Sequence, residues 1–270
     1  MKVLLDNGIF THSEFAELTR RRLSVNFGGT DHSVEIHGVM RKPPDGKADY
    51  QRQIDSLFTV GRLIRSGQIE AYSYLEVDCE RIRGTPKLGI CNALSGCSIR
   101  RCQPAINRGK FRQTFNFSEW ASKGGKKDRK KGTATLGPAN QLPFLTWLYG
   151  LDKKDIAVLL THAQRLKLSD FDMASFNELN WFRYICSRCG STENYVDAFH
   201  LWTARRNTLD AFLTLENTFQ NIISNVKKEK KGLGTNVEVL RPLDLLQNLR
   251  VKQIDPVPME YGRFYHLHEI

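Results

Sequence analysis

Apolar residues fall along this chain in short runs separated by amphipathic stretches. Val3, Leu4 and Leu5 form an uninterrupted run ending in Asp6, the pattern of a short buried strand with an acid at its C-terminal end. Over residues 11–22 the spacing of Phe15 and Leu18 predicts a helix, with Thr11 or Ser13 near its N-cap and Arg20, Arg21 and Arg22 at its end. Residues 26–50, rich in Gly, Pro and Asp with scattered Val and Ile, read as loop or short hairpin. A further helix is predicted over 51–66, with Ile54, Leu57, Phe58, Leu63 and Ile64 on one stripe and Gly67 at its end. A strand follows at 69–74. Periodicity then fades from 85 to 150, where Gly, Pro and basic residues dominate, and this segment reads as an insertion. Helical spacing returns over 152–167, 171–184 and 195–207; a strand is expected at 211–214, a helix at 216–226 and a last strand at 237–240.

Strands separated by helices imply parallel pairing through right-handed crossovers. The expected fold is therefore α/β, a three-layer α/β/α domain around a central parallel sheet. One domain is expected over 1–270, with its core at about 1–84 and 150–245, the insertion at 85–150 and a tail at 246–270. No internal repeat is visible.

Composition narrows the class. The 270 residues are 40% hydrophobic and 26% charged, ordinary values for a globular chain, but the net charge is +11. Such a surface attracts polyanions, nucleic acid ahead of anionic membrane. Between Arg108 and Lys131 nine Lys or Arg face two acids, a local excess of +7. The core of that run, with Lys123, Lys126, Lys127, Arg129, Lys130 and Lys131, has no apolar residue to anchor it and reads as a surface loop. It is a candidate for phosphate contacts, which are salt-sensitive and carry little sequence information. A solvated loop without a partner has the same composition. No apolar run approaches the roughly 20 residues that span a bilayer, and the first ten residues lack a secretory pattern. A cytoplasmic protein with reduced cysteines is the expectation.

Four acids carry the chemistry. Asp6 ends the first strand, on the rim where ligands bind in open α/β sheets, and no helix is expected close enough for it to cap. Asp197 begins a helix within Asp-Ala-Phe-His-Leu, and Glu216 follows the short strand Phe212-Leu-Thr-Leu. Glu80 stands in Glu-Arg-Ile-Arg-Gly84, although Glu76 or Asp78 could take its place. These blocks resemble the PIN nuclease family: an acid after the first strand with Asn7 beside it, an acid after the second, Asp197 before His200-Leu201, and a strand end at Thr214-Leu-Glu216. Val237-Glu-Val-Leu-Arg-Pro242 is similar to the family's closing strand and proline. The likeness covers about 1–84 and 190–245. It departs from the family in having Glu at 216, where Asp is commoner, and in the long insertion.

The resemblance implies a PIN-like fold and a divalent-metal-dependent endoribonuclease acting on single-stranded RNA, with DNA second. Clustered carboxylates suit Mg²⁺ or Mn²⁺, hard ions that prefer oxygen ligands. Asp6 and Asp197 would touch the metal, Glu80 and Glu216 would hold the same ion, a second one or its waters, and Thr214 would bond a carboxylate or a water. Some stand-alone relatives are toxins restrained by an inhibitory protein partner, and a homo-oligomer is compatible. Each residue also has a plainer reading. Asp197 could be an N-cap, Asp210 a turn residue, and His200 a packed or backbone-bonded histidine on the face of Asp197. A degenerate PIN-like RNA-binding scaffold and a zinc-stapled DNA-binding module are the other function classes. Zinc could be assembled from Cys186-x-x-Cys189 with two of Cys91, Cys97 and Cys102, though ordinary reduced cysteines explain the same residues. Cys79 reads as packing.

Overall fold

A computed structural model describes residues 1–44, 46–83, 91–111, 141–229 and 236–269. In chain order, β1 (Lys2–Leu5) leads into α1 (Asn7–His12), then β2 (Ala16–Phe27) and β3 (Thr30–Arg41). Next come α2 (Ala48–Asp55), α3 (Leu57–Arg65), β4 (Glu70–Ser73), α4 (Leu75–Arg83) and β5 (Ile99–Arg101). After these run α5 (Leu142–Gly150), α6 (Lys153–Thr161), α7 (Asp170–Asn177), α8 (Leu179–Arg188) and α9 (Tyr195–Arg206). The chain closes with β6 (Ala211–Leu213), α10 (Asn217–Lys228), β7 (Glu238–Leu240), α11 (Pro242–Asn248) and β8 (Phe264–His266).

Five strands form a parallel sheet in the order β5-β4-β1-β6-β7, flanked by helices. The strands at its centre are apolar on both faces because both are covered: Val3, Leu4, Leu5, Ala211, Phe212 and Leu213 are fully buried. Among the covering helices, α5, α8 and α9 pack together, and α2, α3 and α11 form a second group. Chain order runs outward from β1 to β4 and β5, then returns to the other side of β1 for β6 and β7. The crossovers therefore diverge between β1 and β6, the switch point at whose carboxyl ends open α/β sheets bind ligands.

The expected helix at 11–22 is instead α1 followed by a strand. From Leu23 through Val25 to Phe27 apolar and polar residues alternate, and Ser33 to His37 alternates in register with them. Twelve paired positions outweigh the weak helical spacing of Phe15 and Leu18. The turn is Gly28-Gly29, with φ of 61° and 83°, the left-handed backbone that a tight two-residue hairpin turn requires. The expected loop or short hairpin at 26–50 holds the turn and second strand of a longer hairpin that begins at Ala16. β8 pairs with the base of β3, where a Cβ at Gly38 would lie 2.4 Å from the Phe264 ring and the Tyr265 carbonyl. Only glycine admits that approach.

Three other expectations change. The helix at 51–66 is two helices broken at Ser56, whose hydroxyl bonds back to the Gln53 carbonyl at 2.7 Å. The segment 171–184 also divides, into α7 and α8. The insertion is partly core: β5 joins the sheet beside β4, and Ala105, Ile106 and Phe111 are buried with Phe144, Leu145 and Leu148 of α5. A three-residue strand reading Ile-Arg-Arg has too little apolar pattern to be seen in sequence. Among the described residues no helix is long and apolar enough to cross a membrane.

Candidate metal centre

The switch point between β1 and β6 is where acids converge. Asp6 is almost fully buried at the end of β1, and α1 begins at the next residue, so it does occupy an N-cap position. Its side chain nevertheless makes no capping bond. Thr214, immediately after β6, donates its hydroxyl to Asp6 Oδ2 at 2.8 Å and accepts the Glu216 backbone N–H at 3.1 Å. The switch point of the sheet thereby fixes one oxygen of Asp6, whose carboxyl faces Glu80 and His200.

Asp6, Glu80 and His200 each present a ligand atom, and the three atoms lie within 4.8 Å of one another. Glu80 projects from the second turn of α4, not from its start, where Glu76 stands. The choice among three acids of α4 is made by distant arginines. Glu76 is paired in the core with Arg108 at 3.0 Å, and Asp78 bonds Arg101. Glu80 is left to face the site, held by the Gln141 side-chain amide and by His200 Nε2 at 3.1 Å.

His200 is packed, as expected, but neither of its ring nitrogens bonds the backbone. Nδ1 lies 2.6 Å from the buried Tyr74 hydroxyl and Nε2 faces Glu80. Tyr74 therefore orients the ring and leaves Nε2 as the nitrogen that can ligate. Asp197, one turn before His200 on α9, is half-buried and electrostatically coupled to Asp6, Glu216 and Glu80. Glu216 is exposed at the start of α10 and stays outside the convergent group. Asn7 follows Asp6, and its Oδ1 is buried without a hydrogen-bond partner among the described residues.

Burial sets the protonation of this group. Desolvation raises the Asp6 carboxyl, with His200 opposing it. Desolvation, then the Asp6 charge, raises Asp197 from 3.8 to about 7. Burial alone would lower His200, but Glu80, Asp6 and Asp197 outweigh it and carry the imidazole from 6.5 to about 9. Both changes act on stability in the same sense. The raised Asp197 carboxyl costs stability progressively as pH rises from 3.8 to about 7, while the His200 contribution is complete below 6.5 and lost as pH rises through 9. Melting in EDTA should therefore show a lower Tm at pH 9 than at pH 6, and Mn²⁺ should narrow the gap by neutralising the acids. A Tm in EDTA that rises over this range would refute the assignment.

The cysteines do not assemble a zinc site. All six are free thiols, and among the described residues none joins a group of three ligating side chains. Their packing explains why. Cys91 lies with Val39 and Met259 at the base of the hairpin, Cys97 donates to the Gly61 carbonyl at 3.3 Å, and Cys189 to that of Ile185 at 3.3 Å. Burial pushes Cys102 and Cys189 up to about 12 and Cys186 higher still, so they are protonated thiols at neutral pH. Asp210 accepts the Lys2 backbone N–H at 2.6 Å, at the opposite end of β1 from the site. Lys123, Lys126, Lys127, Arg129, Lys130 and Lys131 lie outside the described residues.

The geometry is that of a buried Asp-Glu-His group able to hold a metal ion. Comparison of the chain with protein-family models, curated proteins and solved structures gave no match.

Proposed function

We propose that this chain is a divalent-metal-dependent nuclease of the PIN type, acting on single-stranded RNA in preference to DNA. The observation that carries this reading is the convergence of Asp6, Glu80 and His200 at the switch point of a parallel sheet, with Asp197 coupled to them. The residues fit a metal: two carboxylates and one imidazole nitrogen, drawn from three separate elements, meet where burial makes an ionised Asp6 costly without a cation beside it. Mg²⁺ or Mn²⁺ held there would acidify an attacking water and neutralise charge on the leaving oxygen of a phosphodiester. Imidazole tilts the preference toward Mn²⁺.

Each residue has a separate task in this account. Thr214 holds Asp6 Oδ2, Gln141 holds Glu80, and Tyr74 fixes the plane of His200. Asp197 and the exposed Glu216 extend the acidic rim to solvent, where the metal's waters and an entering phosphate would meet them. The basic run around Lys123 to Lys131 would supply non-specific backbone attraction for the nucleic acid. One observation favours the scaffold reading: His200 already partners Glu80, so the site is partly neutralised by the protein itself.

Cleavage separates the two. A 5′-labelled single-stranded RNA incubated with the protein should be cut in Mn²⁺ and left intact in EDTA. RNA that is retained but never cut, with Mn²⁺ present across the pH range, would put the scaffold first.

A further inference from the structure

The hairpin β2-β3 has a face that this chain does not cover. Directly opposed residues share a face, so Leu23 with Val34, Val25 with His32, Phe27 with Thr30 and Arg21 with Ile36 lie on one side. The other side carries Arg20, Arg22, Glu35, Asn26 and Asp31, joined by an Arg20–Glu35 ion pair and an Asn26–Asp31 hydrogen bond. The apolar side is nonetheless open: Leu23 is 43% exposed, Val34 44%, Val25 45% and Phe27 78%. Coverage by the chain itself stops at the base, where Arg21 lies over the Phe264 ring of β8.

Alternation this regular is expected where one face of an antiparallel ribbon is buried and the other is wet. A two-stranded ribbon alone is marginal in water. We propose that the apolar face of this arm packs against the same face of a second copy, making an isologous dimer independent of the nuclease reading.

Charge selects this occupant. Beyond Arg21 the face carries no Lys, Arg, Asp or Glu, so two copies meet without like-charge repulsion despite a net +11 on each chain. A nucleic-acid contact would call for basic residues on this face, and the exposed arginines of the outer arm, Arg20 and Arg22, point the other way. Area is sufficient. Eight residues on each of two strands give a corrugated face on the order of 500 Å² per copy, and about 1,000 Å² across the pair is the lower bound of a specific interface. Self-complementarity is what a two-fold interface requires.

The test is sedimentation equilibrium of the full chain over a concentration series reaching roughly 100 µM, where an interface of this size should be populated. Wild type should show a monomer–dimer equilibrium that does not weaken in high salt. The double variant Val25→Asp/Phe27→Asp should weaken it by about tenfold or more, whereas Ser24→Lys/Ser33→Asp, an opposite-charge pair on the polar face, should leave it unchanged. Both variants alter exposed positions, so an unchanged far-UV spectrum and Tm confirm an intact fold. A wild type that stays monomeric throughout overturns the proposal, as does a dimer that survives Val25→Asp/Phe27→Asp. A monomer that adsorbs to phosphatidylcholine vesicles through Phe27 also overturns it and assigns the face to a membrane surface.

Discussion

Asp6→Asn should abolish metal-dependent RNA cleavage, by about a thousandfold or more, while leaving the metal-free protein at least as stable as wild type. The two halves of this expectation have one cause. Asp6 is desolvated among Glu80, Asp197 and His200, and its carboxyl is raised by burial. Replacing it with a neutral amide removes a buried charge that costs free energy when no metal is present. Thr214 loses little, because its hydroxyl can donate to the amide oxygen as it does to Oδ2 at 2.8 Å. With the carboxylate gone, however, the convergent group keeps only Glu80 and His200, too few for a tightly held divalent ion. Thermal melts in EDTA and in Mn²⁺ check both halves at once: the variant should match or exceed wild type in EDTA and show a smaller Mn²⁺ shift than wild type. A variant that unfolds in EDTA would mean that Asp6 is structural.

Arg108→Ala should destabilise the fold by about 3–5 kcal/mol, a large share of the total stability of a typical domain. Arg108 and Glu76 are both buried, and they meet at 3.0 Å and 3.1 Å through two guanidinium nitrogens. Desolvation already raises the Glu76 carboxyl, and Arg108 is what restrains it. Without the guanidinium, Glu76 must either ionise unpaired in the core or take up a proton. The variant should therefore recover part of its stability as pH falls, and Arg108→Leu/Glu76→Leu should be markedly more stable than Arg108→Ala. Urea unfolding at two pH values measures this. An Arg108→Ala loss below about 1 kcal/mol would show that the pair contributes no more than an exposed salt bridge. Because Glu76 and Glu80 share α4, the same variant should also weaken the site that Glu80 faces.

The central sheet was legible because its two innermost strands, β1 and β6, are short apolar runs buried on both faces. Val3 to Leu5 and Ala211 to Leu213 could hardly be anything else. The first strand of the hairpin was missed because Arg20, Arg21 and Arg22 look like a helix end when read consecutively, whereas in the structure they alternate between faces. β5 was missed because it is placed by hydrogen bonds to β4 and by the Arg100–Glu70 and Arg101–Asp78 ion pairs, none of which shows as an apolar pattern in sequence. Asp6 and Thr214 could be placed from strand ends alone, since each follows a run that points to the same rim. Glu80 could not be chosen over Glu76 or Asp78, because Arg108 and Arg101 decide the matter from beyond the helix. His200 illustrates the limit of local spacing. Its position three residues after Asp197 gave its face, but Tyr74 and Glu80 lie 126 and 120 residues away in sequence. The signal that could have raised it was the resemblance of Asp197 to a ligand, since a histidine one turn on shares whatever Asp197 faces.

The most direct test of the metal centre is calorimetric titration of Mn²⁺ into the metal-free protein at pH 7, repeated in buffers of different ionisation enthalpy. Asp197 and His200 hold protons near neutrality, with values of about 7 and about 9, so metal binding should release protons and the apparent heat should vary with the buffer. The account predicts saturable Mn²⁺ binding with proton release in wild type, weakened by about tenfold or more in Asp6→Asn. Absence of binding by wild type, or equal binding by Asp6→Asn, would contradict it.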